Sequence, residues 1–233
     1  MTNPPQAMSR RDRLRAQTVQ EIEDSSFAII DADGVHALSI AALARSLAMS
    51  APALYRYFAS RDALVEHLTT LSYGQLTAAM SEAAEGGRRT PRTRVRSLVG
   101  AYRDWALRHR RRYGMLFAER ADDTPGETSG PTPLDQAMAL LVDLLVAIQD
   151  GAPADGSTGD RALDGQLRLW ARSQDRPDTT PRAATAAILI WTRVHGIVSL
   201  ELTGVFDNSA LEAKRLIDLE IDGAIRFMVS ADS

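Results

Sequence analysis

The segment LSIAALARSLAMSAPALYRYFASRDALVEHL, residues 38–68, holds two short amphipathic patterns and the start of a third. Ser39 is a helix-capping residue, and Ile40, Leu43 and Leu47 follow it at helical spacing. Ala48, Met49 and Ser50 make a turn, and Ser50 opens a second helix over 50–58 with Leu54 and Phe58 on one face. Two short helices joined this way form a helix-turn-helix, whose second helix enters the DNA major groove. Ala51, Pro52, Tyr55, Arg56 and Tyr57 are left for the other faces. Arg56 can donate two hydrogen bonds to a guanine edge or to a phosphate. The tyrosines offer hydroxyls to phosphates and ring edges to thymine methyls. Ser39 and Ser50 place backbone N–H groups where phosphates are favoured, and Arg61 suits a phosphate contact. Between residues 39 and 61 the only charges are Arg45, Arg56 and Arg61. Serine-capped short helices also occur in any helical protein, and two tyrosines can simply pack. Spacing and charge alone leave both readings open.

The same segment resembles the signature of the TetR family of repressors. The matching features are Ser39 opening the second helix, the Leu54-Tyr55 pair, the aromatics Tyr57 and Phe58, and Arg61 at the start of the fourth helix. The resemblance implies phosphate contacts from Ser39, Tyr55 and Arg61. It implies base or groove contacts from Ser50, Ala51, Pro52, Arg56 and Tyr57. Two residues depart from the pattern. Ala48 occupies a turn position that is often glycine, so the backbone there is expected to be strained. Tyr57 replaces a common histidine, so base preference does not transfer.

Outward from this unit, residues 12–32 read as a first helix, with Leu14, Thr18, Ile22, Ser25 and Ile29 inward and Gly34 ending it. Arg10, Arg11, Arg13 and Arg15 crowd its start, with only Asp12 in opposition. Downstream, helices are predicted over 60–84, 91–110, 113–120, 133–149, 160–173, 181–203 and 209–229. Thr90-Pro91, Thr132-Pro133 and Thr180-Pro181 mark three starts. Asn208 or Ser209 is the expected cap of the last. Residues 86–87, 122–130 and 150–159 read as loops. Strand-like alternation is absent, so the fold class is all-α. A three-helix DNA-binding bundle is expected over 10–67 and a larger helical domain for ligand binding and dimerisation over 68–233.

The 233 residues carry a net charge of −3, 45% hydrophobic residues and no cysteine. Disulfides and thiolate metal sites are excluded, and a cytoplasmic location is the expectation. No secretory signal or membrane span is expected, since the apolar run over 183–191 is too short. His36, His67, His109 and His195 have no metal-ligand spacing, and no Gly-rich loop follows a strand. Neither an enzyme nor a cofactor is expected. The rival readings are a helical enzyme, which would consume its ligand, and a helical interaction module without DNA binding. The absence of acids over 39–61 argues against the second.

The helix over 181–203 is apolar nearly all round. Between residues 183 and 204 only Arg193 and Glu201 are strongly charged, and they are expected on one narrow solvent strip. The last helix should turn Leu211, Leu216, Ile217, Ile221, Ala224, Ile225 and Met228 inward. Trp191, His195 and Gly196 resemble the Trp-x-x-x-His-Gly pattern of one TetR branch. The family resemblance implies a homodimer through the last two helices, double-stranded operator DNA as partner, and an inducer pocket after Arg61. Candidate pocket residues are Tyr102, Trp105, Met115, Phe117, Met138, Leu141, Trp170, Trp191 and His195. Such walls suit a hydrophobic or aromatic small molecule. A dimer that binds DNA without any ligand is the alternative. Ten arginines between residues 88 and 112 face one acid, Asp104, and read as a solvated basic face.

Overall fold

The computed structural model describes residues 9–85, 89–117, 133–149 and 156–230. Among them there are helices and no strand. In chain order these are α1 (Arg10–Asp33), α2 (Ile40–Ser46), α3 (Ala51–Tyr55), α4 (Arg61–Ala84), α5 (Pro91–Arg108), α6 (Arg110–Phe117), α7 (Pro133–Gln149), α8 (Arg161–Ser173), α9 (Pro181–Leu202) and α10 (Ala213–Val229). A 3-10 turn, Val35–Ala37, follows α1. The chain divides into two compact units. One contains the residues up to Ser72 together with α6, and the other contains the rest. By compactness the division falls after Ser72, where the sequence reading sets it at 67/68, and α6 groups with the first unit.

The first unit is built on one apolar core. Ile22, Phe27 and Ile30 from α1, Leu38, Leu43 from α2, Leu54 from α3, and Leu64 and Leu68 from α4 are buried in it, and Met115 from α6 joins them. The stripe on α1 differs from the expected one. Ile22, Ser26, Phe27 and Ile30 face inward, whereas Leu14 is 56% exposed. The first turns of α1 run past the core, so a stripe anchored at Leu14 is displaced by one position. Gly34 ends α1 with φ 86°, and its N–H donates to the Ile30 carbonyl at 2.8 Å. α6 begins at Arg110 rather than at 113 and packs beside α1. The Arg112 guanidinium grips the Asp31 carboxylate with both Nε and Nη2 and lies 4.0 Å above the Phe27 ring.

Ala48 adopts φ 51° in the turn between α2 and α3. This is the left-handed region, where a Cβ costs about 1–2 kcal/mol. The Met49 N–H nonetheless donates to the Ala44 carbonyl at 2.9 Å, so the turn closes as the motif requires. Ala48→Gly is expected to raise the unfolding free energy by about 0.5–1 kcal/mol, because removing the Cβ relieves more than the added chain entropy takes away. Urea denaturation of both proteins measures it, and an unchanged or lowered midpoint contradicts it.

The second unit is organised around α9. The Thr180 hydroxyl caps this helix by accepting from the Ala183 N–H at 3.2 Å. α9 packs against α10, α7, α8 and α5. Ala183, Ala184, Ala186, Ala187, Ile190, Val194 and Val198 are buried, and the run of alanines lets neighbouring helices approach closely. By length and composition alone α9 would pass for a membrane span, contrary to the sequence expectation, yet it is the core helix of this unit. α10 starts at Ala213, later than expected, and is capped by Glu212 without a side-chain bond instead of by Asn208 or Ser209. Leu211 is consequently outside the helix and 57% exposed. Asp164 fastens the loop before α8. Its carboxylate accepts from the Ser157 hydroxyl at 2.6 Å and from the Thr158 N–H and hydroxyl, and these bonds hold it below the usual carboxylate range. Thr132, the loops over 86–87 and 122–130, the last residues of the helix predicted over 113–120 and the first part of the loop over 150–159 lie outside the described residues.

The arginine-rich run is a solvated face only in part: Arg89, Arg92, Arg108, Arg110 and Arg111 are exposed, while others are tied into the fold. Arg94 donates to the Ala84 carbonyl at 2.7 Å, and Arg96 pairs with Asp222 at 2.5 Å. Arg103 holds the Glu201 carboxylate with Nε at 2.8 Å and Nη2 at 2.5 Å. These bonds raise the Arg103 guanidinium still further above its ordinary value, chiefly through the hydrogen bond to Glu201. Arg193 pairs instead with Glu220 at 2.5 Å. Arg193 and Glu201 of α9 are thus both tied to other helices, and Glu201 is only 17% exposed.

Candidate nucleic-acid interface and buried cavity

α3 is one short helix of five residues, set by Leu54 in the core of the first unit. It ends at Tyr55, three residues earlier than expected, where the Tyr57 N–H donates to the Leu54 carbonyl three residues back and tightens the chain out of the α pattern. Leu54 is 1% exposed, while Tyr55 is 52% exposed, and Ser50, Pro52 and Arg56 also lie on the surface. Ala51 is half-buried against the core. Ser39 sits at the start of α2, where its hydroxyl accepts from the Ala42 N–H at 3.1 Å. Ser50 makes no such bond. Pro52 removes one of the two N–H groups that a cap would use, and the Ala53 N–H donates to the Ser50 carbonyl. The Ser50 hydroxyl is therefore exposed at the helix end rather than spent on the cap.

Two residues of this surface have jobs that sequence reasoning missed. The Arg61 side chain turns back, donating from Nε to the Leu38 carbonyl and from Nη2 to the Val35 carbonyl, each at 2.8 Å. It braces the 3-10 turn that leads into α2, so its first task is structural and only the remaining N–H groups can meet a phosphate. Tyr57 is covered by Arg15 of α1, whose guanidinium lies 5.1 Å from the ring centroid. Arg10, Arg11, Leu14, Arg15 and Thr18 line one open groove with Arg56 and Tyr57.

The second unit contains a small apolar cavity lined by Met80, Leu98, Val99, Tyr102, Ala137, Met138, Leu141, Ile190, Trp191 and Val194. It has about 10 Å³ for the centre of a water-sized sphere, roughly one water molecule. Tyr102, Met138, Leu141 and Trp191 of the expected pocket meet here. The Tyr102 hydroxyl is 2.8 Å from His195 Nδ1, and the His195 ring stacks on Trp191 with centroids 6.0 Å apart. Burial lowers the His195 pKa from its ordinary value, which keeps the imidazole neutral at pH 7. The other expected pocket residues lie elsewhere. Met115 is in the core of the first unit, and Phe117 pairs with Tyr113 on α6 at 4.7 Å. Trp105 is buried on α5 and Trp170 is half-buried on α8, neither of them in the cavity wall.

The comparisons with known proteins agree with this architecture. Residues 22–68 match the family model for bacterial regulatory proteins of the tetR family. Residues 95–224 match the model for the tetracyclin repressor-like C-terminal domain. That second match contains Trp191, His195 and Gly196 but does not single out the Trp-x-x-x-His-Gly branch. The HTH-type transcriptional regulator Rv1816 of Mycobacterium tuberculosis is 27% identical over 211 residues, 87% of each chain. The crystal structure of regulatory protein SCO4313 aligns with TM-score 0.71 and 31% identity, covering 93% of this chain and 98% of that one. A protein of unknown function from Rhodococcus sp. RHA1 shares the fold, with TM-score 0.66 at 22% identity, over 98% of this chain and all of that one. With both parts of the chain matched and the helix-turn-helix in place, the chain belongs to the TetR family of DNA-binding transcriptional regulators and is not an enzyme.

Proposed function

We propose that the chain is a homodimeric repressor that binds operator DNA through α3 and releases it when a small apolar or aromatic molecule enters the second unit. The observation that carries the DNA half is the surface of α3. Its core face is fixed by Leu54, and the opposite face presents Ser50, Pro52, Tyr55 and Arg56 with no acid between residues 39 and 61. Ser39 would contact phosphate beside them. Tyr55→Ala and Arg56→Ala are each expected to weaken binding to the protein's own upstream intergenic DNA by about 1–3 kcal/mol. Because both side chains are exposed, thermal stability should stay within about 0.5 kcal/mol of the parent. Titration of labelled DNA at several salt concentrations reads the first effect, and parental affinity in both variants overturns the assignment.

The dimer would form through α9 and α10. Leu216, Leu219, Gly223 and Phe227 recur at three- and four-residue intervals along α10, and Leu219 is 60% and Phe227 38% exposed. An apolar stripe of this kind suits an isologous contact between two copies. Ile221, by contrast, is 1% exposed within its own chain, so a charge there unfolds the unit instead of testing assembly. Leu219→Asp is expected to give a folded monomer in sedimentation equilibrium, with unchanged helical circular dichroism. A variant that remains dimeric at micromolar concentration places the contact elsewhere.

The ligand half rests on the cavity. Its walls are apolar, and the one hydroxyl among them, that of Tyr102, is bonded to the His195 imidazole, which burial keeps neutral at pH 7. That composition favours an uncharged, hydrophobic molecule and disfavours a carboxylate or phosphate. The small volume favours a second reading, in which the dimer regulates without any ligand. An apolar compound that quenches tryptophan fluorescence and binds equally well with and without operator supports that second reading, since coupling between two sites is reciprocal. A repressor of this kind works in the cytoplasm, where the DNA is.

A further inference from the structure

We propose that the start of α1 is a second DNA-contacting element, in which Arg10 and Arg11 hold backbone phosphates flanking the site read by α3. The inference rests on the DNA-binding reading of α3 and extends it. The groove that carries it lies within the first unit. One wall is the first two turns of α1, with Arg10, Arg11, Leu14, Arg15 and Thr18, and the other is the end of α3, with Arg56 and Tyr57. Four guanidinium groups share this groove, and among the described residues none of them is in an ion pair with an acid. Asp12, the acid nearest in sequence, accepts the Ser9 hydroxyl at 2.7 Å and does not line the groove.

Several of this chain's other arginines are tied into the fold. Arg61, Arg94, Arg96, Arg103, Arg112 and Arg176 are each tied to a carbonyl or a carboxylate. Arg10, Arg11 and Arg56 are exposed instead, on a surface where like charges repel. Such a cluster is stabilised by an extended polyanion, which binds several guanidinium groups at once and releases its counterions. Arg15 has a separate task. Its cation lies over the Tyr57 ring, joining α1 to the end of α3, so that the groove keeps its shape as α3 engages DNA. The contact is made to the backbone, because arginines on an exposed helix face beside the reading helix position the protein and carry no base code.

The test uses the full-length chain and a mixed-sequence DNA duplex, titrated across a range of salt concentrations. Arg10→Ala/Arg11→Ala is compared with Arg161→Ala/Arg172→Ala, which removes two exposed charges from α8. The expected result is a slope of log affinity against log salt that falls by about 1 for each arginine lost from the contact. The parent and variant curves should converge as salt rises, and the α8 variant should keep the parental slope. Equal loss in both variants means a general charge effect and overturns the proposal. So does a parental slope in Arg10→Ala/Arg11→Ala. If the parent itself binds no duplex, the reading of α3 fails as well, whereas binding by the parent with an unaffected arm variant sinks only the arm.

Discussion

Arg61→Met is expected to lower the unfolding free energy by about 2–3 kcal/mol and to weaken DNA binding, although Arg61 reads no base. The guanidinium donates to two carbonyls of the loop before α2, at Val35 and Leu38. A hydrogen bond from a charged donor contributes about 1.5–3 kcal/mol. The side chain is 38% exposed, which reduces the sum of the two. Methionine keeps much of the aliphatic stem and donates nothing, so the loop loses its brace and α2 its fixed entry. Lysine restores less than half of the loss, because a single ammonium on a flexible stem cannot hold two carbonyls in the planar fork geometry. Chemical denaturation orders the three proteins. A methionine variant as stable as the parent means that water replaces the guanidinium, and that the arginine is kept for phosphate alone.

Arg103→Met is expected to destabilise the second unit by about 3 kcal/mol. It leaves the Glu201 carboxylate, 17% exposed, without the partner that holds both of its oxygens. Breaking a buried pair from one side typically costs about 3–5 kcal/mol, and residual solvent access places this case at the lower end. Arg103→Met/Glu201→Met should recover most of the loss, since two apolar side chains leave no charge unpaired. The double-mutant cycle by urea denaturation separates the pair from its surroundings. Additive effects mean that the two residues do not act together.

The helix-turn-helix was legible in the sequence because every signal that makes it is local. Ser39, Leu43, Leu54 and Ser60 lie within a few turns of one another, and their spacing alone places the core face. Ala48 stood out for the same reason, and its φ of 51° is the strain that the missing glycine foretells. What escaped depends on distant partners. Arg61 bonds to carbonyls 23 and 26 residues away, and Arg103 meets Glu201 across 98 residues, a separation that no periodicity encodes. Met115 and Phe117 have the composition of pocket walls but belong to a helix that joins the first unit. The pocket residues that do come together, Tyr102, Met138, Leu141 and Trp191, lie on three helices whose apolar faces were evident. Their meeting point was not.

The cavity of the second unit has a kinetic consequence. With about 10 Å³ for the centre of a water-sized sphere, it has room for little more than one water molecule as it stands. A drug-sized compound needs a pocket of about 300–1,000 Å³, so one that seats there must wait for Leu98, Met138 or Trp191 to swing aside. The rate of entry is then set by the breathing of the helices rather than by collision. Observed association rates should climb at low concentration and flatten at high concentration, at the frequency with which the walls part. The apparent affinity is lowered by the fraction of time spent open. Trimming Leu98 or Met138 would widen the gate and speed capture, even while removing contacts from the bound state.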